Sequence, residues 1–477
     1  MNKYNINRII IPIAICCAVI SCKVPSIVEL NSSKKVPELY TNSNDTTNIS
    51  SITWRNFFKD PYLVNLIDEA LKNNQELNIT LQEIEIAKND IRMRKGALLP
   101  SVGLGAGAGI DKVGRYTSQG AGDASTEIMP EKEVPDPLSD FKLGAYAHWE
   151  VDIWKKLRNS KKAAVTRYLS TIEGKNFVLT NLIAEVADSY YELLSLDTQL
   201  EIVRQNILLQ NNALEIVKVQ KEAARATELG VQKFQAEVLS SKNKEYLILQ
   251  NIKEVENRIN FLLGRYPQEI KRDKSDFLSL KSAFINSGIP AQLLANRPDI
   301  KQAELDLVAA KLDVRVARAE FYPSLEISSA VGFNAFKPNY LFTMPESLIY
   351  SLVGDIAGPL INKNAIKAEF NNANARQIQA LFNYEKTVLN AYLEVVTQLS
   401  KISNLEKSYG VKSQQVDALN KSISISNDLF KSARVDYFEV LMTQRDALET
   451  KLELVDTKKE QMTAVVHIYR NLGGGWK

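Results

Sequence analysis

The sequence predicts a mostly helical, internally duplicated chain with a small membrane β part. Three observations lead to this fold class: a long repeat, two long segments without proline, and short segments of alternating residue character. An offset of 209 residues aligns Ala224-Arg225 with Ala433-Arg434, and Leu263-Gly264 with Leu472-Gly473. Solenoid repeats have periods of about 20–50 residues. The longer period therefore indicates a duplicated half-molecule.

The first 22 residues have the features of a bacterial lipoprotein signal. Lys3 and Arg8 precede an apolar run at residues 9–20, which is shorter than the roughly 20 residues of a membrane span. The ending Val19-Ile20-Ser21-Cys22 resembles a lipobox. We therefore expect residues 1–21 to be removed and Cys22 to carry palmitate or a related acyl chain as an accessory anchor. An ordinary signal peptide with a chance cysteine is the alternative.

The composition of the chain is close to neutral in charge. It contains 59 lysines and arginines and 56 aspartates and glutamates. Loss of Lys3 and Arg8 would change the net charge from +3 to +1, which argues against a nucleic-acid partner. No run of 18 apolar residues follows the signal, so we expect no transmembrane helix. The mature chain divides into a lipidated N-terminal tether (22–56), a first repeat (57–270), a linker (271–298) and a second repeat (299–477). Within the tether, residues 31–51 are polar and rich in turn-forming residues, and we expect them to be poorly ordered.

Two segments without proline, residues 138–266 and 360–477, predict very long helices. In the second segment apolar residues recur at steps of three, four and seven, as in a coiled-coil seam. These residues are Ile402, Leu405, Tyr409, Val416, Leu419, Ile423 and Phe430. A helix of about 70 residues would be roughly 105 Å long. A scaffold coiled coil is the alternative, but such proteins lack the strand segments described next.

Each repeat also contains two segments with the alternation of membrane strands. Apolar residues alternate with polar, charged or small residues at 141–153, and with glycines at 102–110. Period two places the two sets on opposite faces of a strand, and about ten such residues cross a bilayer. The second repeat has a similar segment at 325–333, and the duplication predicts a fourth strand at about 347–358. A soluble β-sandwich is the alternative.

Four strands are too few to close a barrel in lipid. An open sheet edge in a membrane leaves backbone groups without partners, and the smallest single-chain barrels have eight strands. We therefore expect several copies of the chain to share one barrel. A shared barrel that continues into long helices would form a conduit through one membrane and across the space beneath it.

Four motifs resemble those of outer-membrane efflux proteins, the TolC-like channels. One motif resembles the linker of that family: Pro290-Ala291-Gln292-Leu293-Leu294-Ala295-Asn296-Arg297-Pro298-Asp299-Ile300. A second resembles the entry to the family's third strand: Phe321-Tyr322-Pro323-Ser324-Leu325. Two further motifs resemble those of the lipoprotein (NodT-type) branch of the family. They are Tyr437-Phe438-Glu439-Val440-Leu441 with Gln444-Arg445, and the final Leu472-Gly473-Gly474-Gly475-Trp476. The resemblance extends over essentially the whole mature chain.

The resemblance implies an α-helical barrel in the periplasm joined to a 12-stranded β-barrel in the outer membrane, shared by a homotrimer. Such a channel is the passive exit duct of a tripartite efflux pump, including pumps for multidrug resistance. Its partners would be a periplasmic adaptor protein, an inner-membrane transporter, commonly of the resistance-nodulation-division type, and outer-membrane lipid. The resemblance implies no enzyme activity, cofactor or metal.

The tips of the two helical hairpins are the predicted functional sites. In the resembling family these tips narrow the periplasmic mouth and meet the adaptor. The residues matching the family's constriction are Phe438, Met442 and Arg445. The candidates for adaptor contact are Arg225, Thr227, Leu229, Gly230, Arg434 and Asp436. Met442 departs from the family, where an acidic residue is common, so the prediction is an apolar seal rather than a cation-binding ring.

Other classes of protein fit the sequence less well. The chain has only two histidines, His148 in a strand segment and His467 near the end of a helix, and neither belongs to a catalytic motif. A periplasmic adaptor also has a long hairpin, but it has one hairpin in a lipoyl-like domain rather than two that each follow amphipathic strands. The outer-membrane duct of a type I protein-secretion system, or a duct for metal ions, is a narrower alternative.

Overall fold

The computed structural model describes a defined part of the chain, residues 25–27, 37, 40, 49–274, 277–280, 288, 290–359, 363–432 and 434–476. The predicted signal, Cys22 and most of the predicted tether lie outside these residues. From residue 49 the chain is folded: Ile49–Ser51 form a 3₁₀ turn and helix α1 spans Trp54–Phe57. The side chains of Ile49, Trp54 and Phe58 are buried. Ile49 and Trp54, which lie within the predicted tether, therefore pack into the core.

The first repeat begins with helices α2 (Pro61–Asn73) and α3 (Gln75–Gly96). Asp60 caps α2: its carboxylate accepts a hydrogen bond from the Tyr62 amide at 2.8 Å, and Pro61 lies at the first helical position. The elements that follow are β1 (Ser101–Asp111), the short helix α4 (Ser118–Asp123), the small hairpin β2 (Glu127–Met129) and β3 (Lys132–Glu133), β4 (Leu138–Val151), α5 (Lys156–Glu222) and α6 (Glu228–Leu262).

After the linker, the second repeat has its long elements in the same order: a helix, two long strands and two long helices. The short helix α4 and the hairpin β2–β3 are found between the long strands of the first repeat. The linker contains a 3₁₀ turn at Phe277–Ser279 and helix α7 (Gln292–Asn296). The elements that follow are α8 (Pro298–Ala319), β5 (Ser324–Ala335), a 3₁₀ turn at Pro338–Tyr340, β6 (Leu348–Ala357), α9 (Asn364–Lys431) and α10 (Tyr437–Asn471). None of the helices in the described part of the chain combines the length and the apolar character of a membrane span.

The four long strands form one antiparallel sheet in the order β1-β4-β5-β6. Gly144 lies directly opposite Gly332 across β4 and β5. A Cβ atom at Gly144 would lie 2.8 Å from the carbonyl oxygen of Val331, so the close approach of these strands requires glycine. All four predicted strands are confirmed, including the fourth, which the sequence located mainly through the duplication.

The structure consists of two compact units. The first unit contains the sheet and comprises the described residues of 1–31, 85–168 and 305–381. Its small core includes Val314, Phe321 and Phe370. The other comprises the described residues of 32–84, 169–304 and 382–477. Its large apolar core contains Tyr190, whose hydroxyl donates to the Asp60 carboxylate at 2.6 Å.

Buried arginines fix the linker within the second unit. Arg272 forms ion pairs with Asp197 at 2.5 Å and Glu256 at 2.9 Å, and its side chain is 3% exposed. Arg297, from the motif singled out in the sequence, pairs with Asp299 at 2.7 Å and Glu394 at 2.8 Å. Burial opposes the charge of each guanidinium, yet the bonds to the carboxylates dominate and raise the pKa of both arginines. Each end of the linker is thereby tied to the long helices.

Candidate functional site

The candidate site consists of the two hairpin tips, which we define as residues 223–227 (first tip) and 432–436 (second tip). The first tip joins α5 to α6, and the second joins α9 to α10. In the first, the Arg225 amide donates to the Gln220 carbonyl at 2.8 Å; in the second, the Arg434 amide donates to the Leu429 carbonyl at 2.9 Å. This bond satisfies a carbonyl at the helix end. The duplication therefore extends to individual backbone bonds.

Side-chain caps begin the returning helices. The Thr227 hydroxyl accepts a hydrogen bond from the Gly230 amide at 3.2 Å. The Asp436 carboxylate accepts one from the Phe438 amide at 2.5 Å. These residue types are preferred at helix N-caps because their oxygens satisfy free amides. Thr227 and Asp436, predicted as contact residues, thus also have a structural role at the turns.

A small apolar cluster supports both tips. Its buried members come from the first hairpin: Leu214, Val217, Val231, Phe234 and Val238. Phe430, Tyr437 and Leu441 of the second hairpin pack against it. Gly230 contributes to this contact, because a Cβ atom at that position would lie 3.3 Å from the Tyr437 ring. The two tips are therefore packed against each other.

The predicted contact residues differ in exposure. Arg225, Thr227, Arg434 and Asp436 are exposed, and Leu229 is 60% exposed. Gly230, in contrast, is buried. The ring of Tyr437 lies against it and leaves little room for a side chain. Adaptor contact at Gly230 stays a prediction.

Charge at the tips is arranged around the two arginines. Within the described part of the chain, neither Arg225 nor Arg434 forms an ion pair, so both guanidinium groups face solvent uncompensated. Glu228 pairs with Lys221 at the first tip. Hydrogen bonds from Gln232 and from Lys221 hold the pKa of Glu228 below its ordinary value. The tips can thus offer unpaired cationic groups to an acidic partner.

The three predicted gate residues share one face of α10. Positions 438, 442 and 445 are spaced by four and three residues, which places their side chains in one row. Phe438 is 45% exposed, Met442 is half-buried, and Arg445 is exposed. The Arg445 guanidinium lies 3.5 Å from the Asp446 carboxylate. The structure thus places these residues together, with a charge at one end of an otherwise apolar row.

The sequence missed one contact of this row. The Lys233 ammonium on α6 lies 5.1 Å from the centre of the Phe438 ring, within the range of a cation–π interaction. Phe438 is therefore not packed only against apolar groups. The duplication contained a signal for a cation near this row, since the 209-residue offset pairs Lys233 of the first repeat with Met442 of the predicted gate. The corresponding position in the first repeat is thus occupied by a cation.

Comparison with known proteins gives one family. The family model described as "Outer membrane efflux protein" matches residues 66–265 and 289–474. The chain is 28% identical over 424 residues to the pyoverdine export outer membrane protein OpmQ of Pseudomonas aeruginosa, covering 89% of this chain and 87% of that protein. It is 26% identical to the toluene efflux pump outer membrane protein TtgF of Pseudomonas putida, covering 91% and 88%. It is 25% identical to the cation efflux system protein CusC of Escherichia coli, covering 91% of each.

Solved structures show the same fold. A crystal structure of CusC superposes with a TM-score of 0.82 at 24% identity, covering 95% of this chain and all of that one (100%). The outer-membrane channel OprN superposes with a TM-score of 0.81 at 23% identity, covering 94% and 99%. The predicted fold class, mostly helical and duplicated with four barrel strands per chain, is confirmed.

Proposed function

The chain belongs to the outer membrane efflux protein family, and from this premise we propose that three copies form one exit duct of a tripartite efflux pump. An outer-membrane efflux component is a channel and not an enzyme, and this is the function of the chain. The proposal adds the number of copies, the partners and the residues of the mouth. Its main support is the sheet, which is open at both edges.

The edge strands argue for a shared barrel. Among the described strands, β1 and β6 each pair on one side only, and all ten residues of β6 are exposed in the single chain. An unpaired strand edge is unfavourable in lipid because its backbone groups find no water to bond. Three chains of four strands would form a closed wall of twelve strands, within the range of outer-membrane barrels.

The number of copies can be measured directly. Native mass spectrometry of the full-length protein, extracted from outer membranes in mild detergent, is expected to show three chains in one particle. A stable monomer or dimer as the dominant species would contradict the proposal. The assay reads the assembly without depending on any exported compound.

For partners, we propose a periplasmic adaptor and an inner-membrane transporter of the resistance-nodulation-division type. The relatives named above belong to pyoverdine, toluene and cation efflux systems, which supports export of some compound but does not select one. The exposed, unpaired Arg225 and Arg434 are the proposed adaptor contacts.

Cys22 is the proposed lipidation site. A Cys22→Ser variant should fail to incorporate a palmitate analogue, and undiminished labelling would remove Cys22 from this role.

We further propose that Phe438, Met442 and Arg445 narrow the periplasmic mouth. The double variant Phe438→Ala with Met442→Ser would remove most of the apolar surface of the row and the ring that contacts Lys233. The expected result is a higher single-channel conductance in planar bilayers. Leu239→Ala is the control, because Leu239 is 58% exposed on α6 but lies about three helical turns from the first tip. Conductance that is unchanged in the double variant would place the constriction elsewhere.

A further inference from the structure

A cavity of about 250 Å³ lies among α5, α9 and α10. Most of its wall is aliphatic, and Leu278 from the 3₁₀ turn of the linker forms part of it. The Tyr409 hydroxyl donates to the Leu278 carbonyl at 3.1 Å and so holds this turn against α9. Other aliphatic members of the wall are Ile202, Leu209, Ile423, Leu448 and Leu454. The linker and the long helices thus line a partly open cavity.

Two polar side chains of α10 line this cavity without a partner. Gln444 is only 4% exposed, and no hydrogen bond of its side chain occurs among the described residues. Its amide atoms are not among the fully buried polar atoms without a partner, so they are open to water or a ligand in the cavity. The Gln444 amide therefore offers a donor and an acceptor to an occupant of the cavity.

Lys451, two turns along the same helix, contributes a charge. It is half-buried, and in the described part of the chain it pairs with no acidic group. Burial lowers the pKa of Lys451, and no carboxylate opposes this effect. Two neighbours on α10 have partners: Lys459 lies 3.5 Å from the Asp456 carboxylate, and Lys458, whose pKa is also lowered by burial, donates a hydrogen bond to the Leu280 carbonyl. Lys451 is therefore a partly desolvated cation with no counterion among the residues that the structure describes.

We propose that this cavity binds small amphipathic carboxylates. The carboxylate would accept hydrogen bonds from the Lys451 ammonium and the Gln444 amide, and a short hydrocarbon body would lie against the aliphatic wall. A carboxylate fits because it only accepts hydrogen bonds and supplies the missing charge. A neutral apolar molecule would leave Lys451 uncompensated, and a cation would be repelled. The site goes beyond the proposed duct function and does not depend on the gate residues.

The test uses hexanoate with two matched probes. Hexanol has a similar hydrocarbon body without the charge, and acetate has the charge without the body. Isothermal titration calorimetry with the full-length protein in detergent is expected to show hexanoate binding at least tenfold more tightly than either. Hexanoate should also raise the midpoint of thermal unfolding, because a ligand that binds only the folded state stabilises it.

Two variants locate the binding to this cavity. Lys451→Met is expected to weaken hexanoate binding at least tenfold, and Gln444→Leu several-fold. Lys459→Met is the control, because it removes a positive charge from the same helix outside the cavity wall, and it should change affinity less than twofold. Lys451→Met removes a partly buried charge, so the unliganded variant should unfold at the same or a higher temperature than the parent protein.

Three results would overturn the proposal. Equal binding of hexanoate and hexanol would show partition into apolar surface, and equal affinity in Lys451→Met and the parent protein would place hexanoate elsewhere. Absence of measurable hexanoate binding to the parent protein would mean that water alone fills the cavity. Should Lys451→Met fail to fold, Gln444→Leu tests the same site without a change in charge.

Discussion

Replacement of Arg272 by methionine is expected to destabilise the protein by about 3–5 kcal/mol, the range for removal of one partner from a buried ion pair. The guanidinium donates to the Asp197 carboxylate at 2.5 and 3.0 Å, to Glu256 at 2.9 Å, and to the Ile270 carbonyl at 2.9 Å. Methionine fills much of the same volume, so the cost arises from charge and hydrogen bonding rather than from a cavity.

The magnitude follows from what the variant leaves behind. The side chains of Asp197 and Glu256 are 6% and 10% exposed, so water cannot readily replace the lost donor. Glu256 keeps one partner, Lys253, at 3.1 Å, whereas Asp197 would lose its only described ion pair. Most of the loss should therefore come from Asp197. The double variant Arg272→Met with Asp197→Leu should recover a large part of it.

Thermal unfolding followed by circular dichroism in detergent provides the measurement. The matched control is Arg258→Met, which breaks an ion pair with Glu192 of 2.7 Å whose members are 52% and 35% exposed. Exposed pairs contribute about 1 kcal/mol or less, so the midpoint should fall several times further for Arg272→Met than for the control. Equal shifts in the two variants, or no recovery in the double variant, would refute the reasoning from burial.

Two further predictions concern the tips and the sheet. Replacement of both Arg225 and Arg434 by glutamate should reduce crosslinking to the adaptor, while native mass spectrometry should still show trimers. Undiminished crosslinking would exclude both arginines as adaptor contacts. Gly144→Ala should lower the yield of folded protein in the outer membrane, because the added Cβ would lie 2.8 Å from a carbonyl oxygen. Gly354→Ala is the control and should fold normally, because no atom lies within 4 Å of a Cβ added there. Similar yields of the two variants would show that the strands can separate to admit the methyl group.

Much of the fold could be predicted because periodicity is a local property. The alternation at residues 102–110 and 325–333 located β1 and β5, which the structure extends by one or two residues at each end. The fourth strand needed the duplication, since its own alternation is weak. The sequence did not reveal that Ile49, Trp54 and Phe58 are buried, because the surrounding composition is polar and their core partners are distant in the chain.

The candidate site was predictable in part for the same reason. Family motifs located both tips and the row formed by Phe438, Met442 and Arg445. They could not show that Gly230 is buried against Tyr437, or that Lys233 lies over the Phe438 ring. Those contacts join residues about 205 positions apart in sequence, and no local pattern records them.

By itself, the sequence determined the duplication, the two long hairpins, the four amphipathic strands and, through its motifs, the class of protein. Only the tertiary structure decided which charges are compensated: Arg272 has its carboxylates from two helices, whereas Lys451 faces a cavity to which the described residues contribute no carboxylate. The physical reason is that apolar periodicity specifies which face of an element is buried. The partners of a buried charge depend on how separate elements pack, and that is fixed only when the helices and the linker come together.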